Sequence, residues 1–153
     1  MELTYICKRI MKKILLILFL FSVPVLLADN ESDLFGAKKA AGSQFPGEYT
    51  GTYFDDGEKI PYGLQIFALG DGRFRAVGYN GGLPGAGFKK GGKIEIVEGK
   101  AVKAKKGERI EFKNDEEIAI ADLHNGRLVG REDGVIIARL KKITRKNPVV
   151  PKK

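Results

Sequence analysis

Two apolar runs joined by a Gly-Asp-Gly turn constrain this chain more than any other feature. Residues 62–69, YGLQIFAL, and residues 74–79, FRAVGY, flank Gly70-Asp71-Gly72. Val, Ile, Phe and Tyr suit a pleated, half-buried surface, and Asp-Gly between two such runs is a strong hairpin signal. The stretch therefore predicts a central β-hairpin.

The second half of the chain carries apolar pairs two residues apart that recur every eight residues. These pairs are Ile94/Ile96, Val102/Ala104, Ile110/Phe112 and Ile118/Ile120, and turn formers such as Glu98-Gly99 lie between them. A period of two predicts strands that bury one face, here the face of each apolar pair. Regular short strands with turns between them are typical of an antiparallel meander.

The fold class predicted from these patterns is all-β, with about eight or nine short strands. A first strand over residues 48–54 and two more over 128–131 and 135–140 complete the set. Because long open edges invite aggregation, the meander must close or be covered. A small up-and-down barrel and a two-sheet sandwich both satisfy this condition, and the sequence does not choose between them.

The first 28 residues are typical of an export signal. Lys8, Arg9, Lys12 and Lys13 precede an apolar run over residues 14–27, and Ala28 follows. A basic region, a short apolar region and a small residue describe a Sec-type signal peptide, and the run is shorter than a spanning helix. We therefore expect a secreted or periplasmic protein, whose only membrane association is through this signal.

The rest of the chain divides into three parts. Residues 29–46 predict a linker or short helix, residues 47–143 the β domain, and residues 144–153 a basic tail. Ser32 to Gly42 contains both a capping residue and a glycine stop for that helix. The start of the chain is also open, because Met11 begins a more typical leader than Met1.

Charge and cysteine usage exclude several classes of function. Removal of residues 1–28 takes away four basic residues and one acidic residue, which lowers the formal charge from +8 to +5. This mildly basic balance argues against a nucleic-acid partner. Because Cys7 is the only cysteine and lies in the leader, we expect no disulfide, thiol nucleophile or thiolate ligand in the mature chain.

The polar residues of the predicted turns do not form a recognisable catalytic or metal-binding pattern. Asp55, Asp56, Glu58 and Asp71 are carboxylates beside glycines, which turn chemistry explains, although a facing pair of them is the requirement for sugar hydrolysis. His124 is the only histidine and stands in an Asn-Gly turn, which favours a surface position. We therefore expect a protein that is not an enzyme and that holds no metal or cofactor.

Two lysine clusters have both a structural and a functional interpretation. Lys89, Lys90 and Lys93 form one cluster, and Lys103, Lys105 and Lys106 form the other. Lysines commonly protect sheet edges in solvent. The functional alternative is attraction to anionic glycans or to the cell envelope, which salt would weaken.

The glycine-rich loop after the hairpin is the best candidate for ligand contact. Glycine allows the backbone to approach a partner closely, although the loop lacks the Lys-Ser/Thr pair of a Walker-type phosphate loop. A compact structural crossover is the alternative. The candidate ligand-binding residues are Tyr62, Arg75, Tyr79, Gly81, Gly82, Leu83, Pro84 and Gly85.

Four motifs together resemble one known module. GEYTG (residues 47–51), the hairpin of residues 62–79, GGLPGAG (residues 81–87) and LKKITRKNP (residues 140–148) are similar to the N-terminal β accessory module of exported planctomycete-type proteins. In those proteins a DUF1080 domain, a 3-keto-disaccharide hydrolase domain, follows. The resemblance implies a non-catalytic module, and no hydrolytic residue is carried over. Phe88, Lys89 and Lys90 stand where the family pattern has a Trp and an acidic residue, which puts a shared ligand contact in doubt.

Three functions remain as expectations. The first is an exported, non-catalytic binding module for carbohydrate or an envelope component. The second is a lipocalin-like small barrel that binds an apolar ligand and contains a cavity of a few hundred Å3. The third is a sugar-directed hydrolase. The sequence leaves the ligand, the oligomeric state and any separate hydrolase partner open.

Overall fold

The chain folds into a closed barrel of eight antiparallel strands. The computed structural model describes residues 34–113 and 118–151. Each strand pairs with the next, and the last pairs with the first. This topology confirms the predicted all-β meander and selects the barrel. The strands are β1 (Gly47–Asp55), β2 (Glu58–Gly70), β3 (Arg73–Asn80), β4 (Ile94–Val102), β5 (Glu108–Lys113), β6 (Ile118–His124), β7 (Arg127–Glu132) and β8 (Val135–Ile143).

Four tight turns share one local chemistry. Each has an Asp or Asn followed by Gly, and both residues have positive φ, from 43° to 53° at the first position and from 69° to 84° at the second. Such turns match the right-handed twist of the flanking strands, and Asp, Asn and Gly tolerate this conformation best. The four pairs are Asp56-Gly57, Asp71-Gly72, Asn125-Gly126 and Asp133-Gly134.

The structure corrects the predicted strands around residues 94–104. Ile94 to Val102 is one strand that runs through Glu98-Gly99, where the sequence predicted a turn. Ile94 and Ile96 face outwards and are 49% and 63% exposed, whereas Glu95 and Val97 face the interior. Pairing with β3 decides this orientation, because Ala76, which points inwards, lies opposite Val97.

The predicted inward face is also wrong for Ile118/Ile120, one of the two later apolar pairs. Ile110 and Phe112 of β5 are buried, as predicted. In β6, however, Ala121 and Leu123 are buried, and Ile118 is 42% exposed. Ile110 pairs with Ala121, so a large inward side chain lies opposite a small one. Because side chains alternate between the two faces along β6, Ile118 points outwards when Ala121 points inwards.

The two ends of the barrel differ. We call the end with the β2–β3, β4–β5 and β6–β7 turns the plugged end, and the end with the β1–β2, β3–β4 and β7–β8 connections the open end. Large side chains fill the plugged half, and each of them is at most 1% exposed: Tyr49, Ile66, Phe74 and Ile110. This half therefore holds the main core.

The segment before β1 is part of that core. Its described residues, 34–46, contain a short 3-10 helix, Ala37–Lys39. Phe45 is 1% exposed, and its ring centroid lies 5.9 Å from that of Phe74. Glu108 of β5 accepts hydrogen bonds from Ser43 Oγ (2.5 Å) and the Gln44 backbone N–H (2.9 Å). The segment thus closes the plugged end, a role that the predicted alternatives of a linker or a short helix did not include.

The predicted leader, residues 1–28, and the predicted cap Ser32 lie outside the described residues. Within residues 34–113 and 118–151, no helix is long and apolar enough to cross a membrane.

We expect Phe45→Ala to lower the free energy of unfolding by about 3–5 kcal/mol, because it removes a fully buried ring from a packed core. Urea denaturation measures this change. The matched control is Leu34→Ala, at a side chain that is 43% exposed and should cost less than about 0.5 kcal/mol. Equal losses for the two variants would contradict the role of residues 34–46 as a plug.

Candidate ligand-binding cavity

The open half of the barrel contains a cavity of about 460 Å3. Small residues occupy many of its inward positions, whereas aromatic and branched side chains occupy those of the plugged half. The cavity therefore arises from residue size at fixed inward positions. The small lining residues are Ala76, Ala119, Ala121, Gly130 and Ala138.

Two tyrosines form one wall of the cavity near its mouth. The rings of Tyr53 and Tyr62 stack with their centroids 5.2 Å apart. Gly78 allows this arrangement, because a Cβ atom at that position would lie 1.7 Å from the Tyr62 hydroxyl oxygen. The Tyr62 hydroxyl crosses this gap and donates a hydrogen bond of 3.4 Å to Glu95 Oε2.

Two carboxylates lie beside these tyrosines. Glu95 and Glu132 both line the cavity, and Lys93 Nζ lies 2.6 Å from Glu95 Oε1. Burial raises the pKa of the Tyr53 hydroxyl, and Glu95 and Glu132 raise it further because they disfavour a second negative charge. Burial also raises the pKa of Tyr62, with Glu95 as the next cause. The mouth therefore brings two carboxylates and two tyrosine hydroxyls together above an apolar chamber.

The structure places the predicted binding residues on opposite sides of the barrel wall. Tyr62 points into the cavity, whereas Tyr79 packs on the outer face with Val77 and Leu83. Arg75 is exposed on the outer wall, where its Nη2 lies 2.6 Å from Glu98 Oε1. Tyr62 is therefore the one predicted residue that lines the cavity.

Tyr79 belongs to a buried polar cluster on the outside of the barrel, which we call the outer cluster: Glu48, Gln65, Tyr79 and Arg145. Arg145 donates from Nε (2.6 Å) and Nη2 (2.5 Å) to the two oxygens of Glu48, which is 2% exposed. Gln65 Nε2 donates to Glu48 (2.8 Å), and the Tyr79 hydroxyl donates to Gln65 Oε1 (2.9 Å). Burial, with a smaller effect from Glu48, raises the pKa of Tyr79 to about 12.

The glycine-rich loop covers this outer cluster. Leu83 is 1% exposed, and its backbone approaches Gly63 so closely that a Cβ atom there would lie 2.5 Å from the Leu83 nitrogen. The carbonyl of Pro84 accepts a hydrogen bond from Arg145 Nη1 (2.8 Å), which ties the loop to the chain after β8. The loop is thus a structural cover of the wall, and ligand contact by residues 81–85 stays a prediction.

The end of β8 and the chain after it complete the cover. Ile143, the last residue of β8, packs against Val77, Tyr79 and Leu83, and Gln65 Nε2 donates to the carbonyl of Val149 (2.7 Å). The sequence indicated a basic tail without a core of its own. The described part of residues 144–153 instead packs over the first two strands.

The turn carboxylates do not face one another across a cleft. Asp55, Asp56 and Glu58 lie at the open end, whereas Asp71 lies in the β2–β3 turn at the plugged end. The positive φ of Asp56 and Asp71 gives these residues a turn role. Within the described ranges, no group of three His, Cys, Asp or Glu side chains could hold a metal ion.

The remaining predicted residues are solvent-exposed and widely separated. His124 is exposed at the end of β6, next to the Asn125-Gly126 turn, which confirms the predicted surface position. Lys89, Lys90 and Lys93 lie at the open end, whereas Lys103, Lys105 and Lys106 lie at the plugged end. The two lysine clusters therefore belong to different surfaces.

Sequence reasoning missed Glu95 and Glu132, which line the cavity. Glu95 lies between Ile94 and Ile96 on the opposite face of β4. The apolar pair therefore led to the prediction that Glu95 faces solvent. The usable signal was in β6, where Ala119 and Ala121 alternate with the larger Ile118 and Ile120. Small residues in alternation, placed opposite Phe112 and Ile110, indicate an inward face with spare volume.

Comparison of the chain with protein-family models, with curated proteins and with solved structures found no match. The resemblance to the β module of DUF1080 proteins therefore stays a prediction.

We expect the described tyrosines to resist ionisation in the folded protein. The pKa values of Tyr49, Tyr53, Tyr62 and Tyr79 all lie above 10.0, and burial is the largest cause at each. Above about pH 10 the unfolded chain releases phenolic protons that the folded barrel retains, so the free energy of unfolding falls as pH rises.

Ultraviolet absorbance of phenolate and urea unfolding at several pH values measure these two effects. Tyr79→Phe should reduce the loss of stability between about pH 10 and 12, because the raised pKa is removed. Half of the native phenolate signal appearing by pH 10 would contradict the burial of these side chains.

We expect Arg145→Ala to lower the free energy of unfolding by about 3–5 kcal/mol, because it leaves the buried Glu48 carboxylate without its cation. Thermal and urea unfolding measure the loss. Arg139→Ala, at an exposed arginine on β8, is the control and should cost less than about 0.5 kcal/mol. A double variant with Glu48→Gln should recover part of the loss.

Proposed function

We propose that this protein is a non-catalytic binding protein that holds a small molecule with an apolar body and a cationic end inside the barrel. The observation that supports this function best is the cavity of about 460 Å3 in the open half. Its volume lies in the range of about 300–1,000 Å3 that small-molecule sites occupy. The proposal develops the expectation of a lipocalin-like barrel.

The chamber suits an apolar body. Aliphatic and aromatic side chains line it below the mouth, among them Leu64, Val97, Phe112, Leu128 and Leu140. Burial of apolar ligand surface contributes about 25 cal/mol per Å2, which favours a ligand that fills the chamber. A strongly polar ligand would lose its hydration there without gaining partners.

The mouth suits a cation. Glu95 already holds an ammonium group, because Lys93 Nζ lies 2.6 Å from its carboxylate. Lys93 is an exposed, flexible side chain, so a ligand ammonium can take its place at the same carboxylate. The hydroxyl oxygens of Tyr53 and Tyr62 add acceptors around this position.

The properties of the two tyrosines at the mouth also favour ligand binding over catalysis. The raised pKa values of Tyr53 and Tyr62 make phenolate scarce at neutral pH, which weakens both side chains as nucleophiles or bases. The turn carboxylates considered for sugar hydrolysis lie at opposite ends of the barrel. We therefore favour binding over hydrolysis.

Export through residues 1–28, with a secreted or periplasmic location, is part of this proposal, and its support is the leader pattern. The carbohydrate partner has weaker support. Every Tyr and Phe in the described part of the chain is buried or half-buried, so that surface has no fully exposed ring to stack on a sugar.

We expect dodecylammonium to bind more tightly than dodecanoate, because the ligand charge meets carboxylates at the mouth. Displacement of a fluorescent apolar probe measures both affinities. Ala119→Leu should weaken both ligands because it fills the chamber, whereas Ala101→Leu, at an exposed alanine on β4, should change neither.

A second pair of variants tests the contribution of the mouth to binding separately from that of the chamber. Glu95→Gln should weaken dodecylammonium by roughly tenfold and leave dodecanoate unchanged or tighter, which corresponds to the loss of one charge-assisted contact. Glu98→Gln, on the outer wall of the same strand, is the matched control. Equal binding of both ligands to every variant, or no binding at all, would overturn the proposal.

A further inference from the structure

The plugged end of the barrel is strongly basic. Its β4–β5 loop contributes three exposed lysines, Lys103, Lys105 and Lys106. The neighbouring elements add further exposed cations: Lys39, Lys100, Arg127 and Lys141. The acidic residues at this end are few. Asp71 lies in a turn, and Glu108 is engaged with the plug through Ser43 and Gln44.

The open end has a different balance. Its two tight turns carry exposed acidic residues, Asp55, Asp56 and Glu58 in one and Asp133 in the other. Its exposed lysines include Lys59, Lys89, Lys90 and Lys93, and Lys93 is paired with Glu95. The excess positive charge of the barrel is therefore concentrated at the plugged end.

We propose that the plugged end docks on a bilayer of anionic phospholipids and directs the cavity mouth away from it. A cluster of lysines facing an anionic surface gains about 1 kcal/mol for each lysine that lies close to that surface. Three adjacent exposed lysines on one loop, with others around them, are sufficient for reversible attachment without insertion into the acyl region.

Two observations favour a bilayer over a nucleic acid. Every described Tyr and Phe is buried or half-buried, so no fully exposed ring is available to stack on a base, and the loop carries lysines without arginine.

Docking by the open end is less favourable. Exposed apolar side chains stand there, Ile94, Ile96 and Val135 among them. However, the β1–β2 and β7–β8 turns at this end carry exposed carboxylates, which anionic headgroups would repel. The charge distribution therefore selects the plugged end.

The experiment is sedimentation of the full chain with phosphatidylglycerol vesicles and with neutral phosphatidylcholine vesicles. Neutral vesicles report the contribution of residues 1–33, which all variants share. We expect Lys103→Glu, Lys105→Glu and Lys106→Glu together to weaken binding to phosphatidylglycerol by on the order of a hundredfold. The control is Lys59→Glu, Lys89→Glu and Lys90→Glu, which makes the same change of charge at the open end and should weaken binding much less.

Each outcome decides the proposal. The plugged-end triple variant must keep the thermal unfolding midpoint and the dodecylammonium affinity of the parent, which separates this test from that of the cavity. Equal losses for both triple variants, or loss of binding on Ile96→Ser and Val135→Ser, would overturn the proposed orientation. Tighter binding to a duplex oligonucleotide than to phosphatidylglycerol at the same salt concentration would overturn the choice of partner.

Discussion

Closure of the sheet by pairing β1 with β8 is the constraint on which the rest of this structure depends. Six residues of β1, from Glu48 to Tyr53, lie opposite residues of β8 and remove the two free edges of the meander. Closure also gives every strand a fixed inner and outer side, because successive side chains alternate across the wall. Adjacent residues therefore face opposite sides of the wall. Tyr62 lines the cavity, whereas Gly63 faces outwards and allows the glycine-rich loop to pack closely against the strand.

The outer side of the first three strands is a second, smaller core rather than a solvated face. Val77, Tyr79 and Leu83 are buried there, and the outer cluster supplies the polar contacts. A buried Glu–Arg pair is only a weak source of stability, because both ions lose hydration. Its value here is geometric, since Arg145 joins strand β1, the glycine-rich loop and the chain after β8 in one place.

Local chemistry was predictable from the sequence, whereas the sidedness of several strands was not. The Asp-Gly and Asn-Gly pairs indicated the turns because few other residues accept positive φ. In β4 and β6 both sides carry apolar residues, so the periodicity of Ile94/Ile96 and Ile118/Ile120 was correct but its direction was wrong. Only the register with β3 and β5 decides which side is inside.

The cavity and the outer cluster were beyond sequence reasoning for a different reason. The volume of the cavity depends on residues of β1 to β8 that meet only after closure, and Glu48 and Arg145 are 97 positions apart. Tyr62 was identified as a candidate from its place in the hairpin, but its partner Glu95 lies 33 positions away and required the strand pairing.

Residues 34–46 cross the barrel at the plugged end and bring Phe45 into its interior, so packed side chains fill that end. The open end is therefore the side from which the cavity can be reached. A ligand bound as proposed would therefore enter and leave at the open end, and one molecule would have to leave before another could replace it. The residence time of that ligand would be set by the tyrosines and carboxylates at the mouth, and exchange with a donor or acceptor would require the open end to face it.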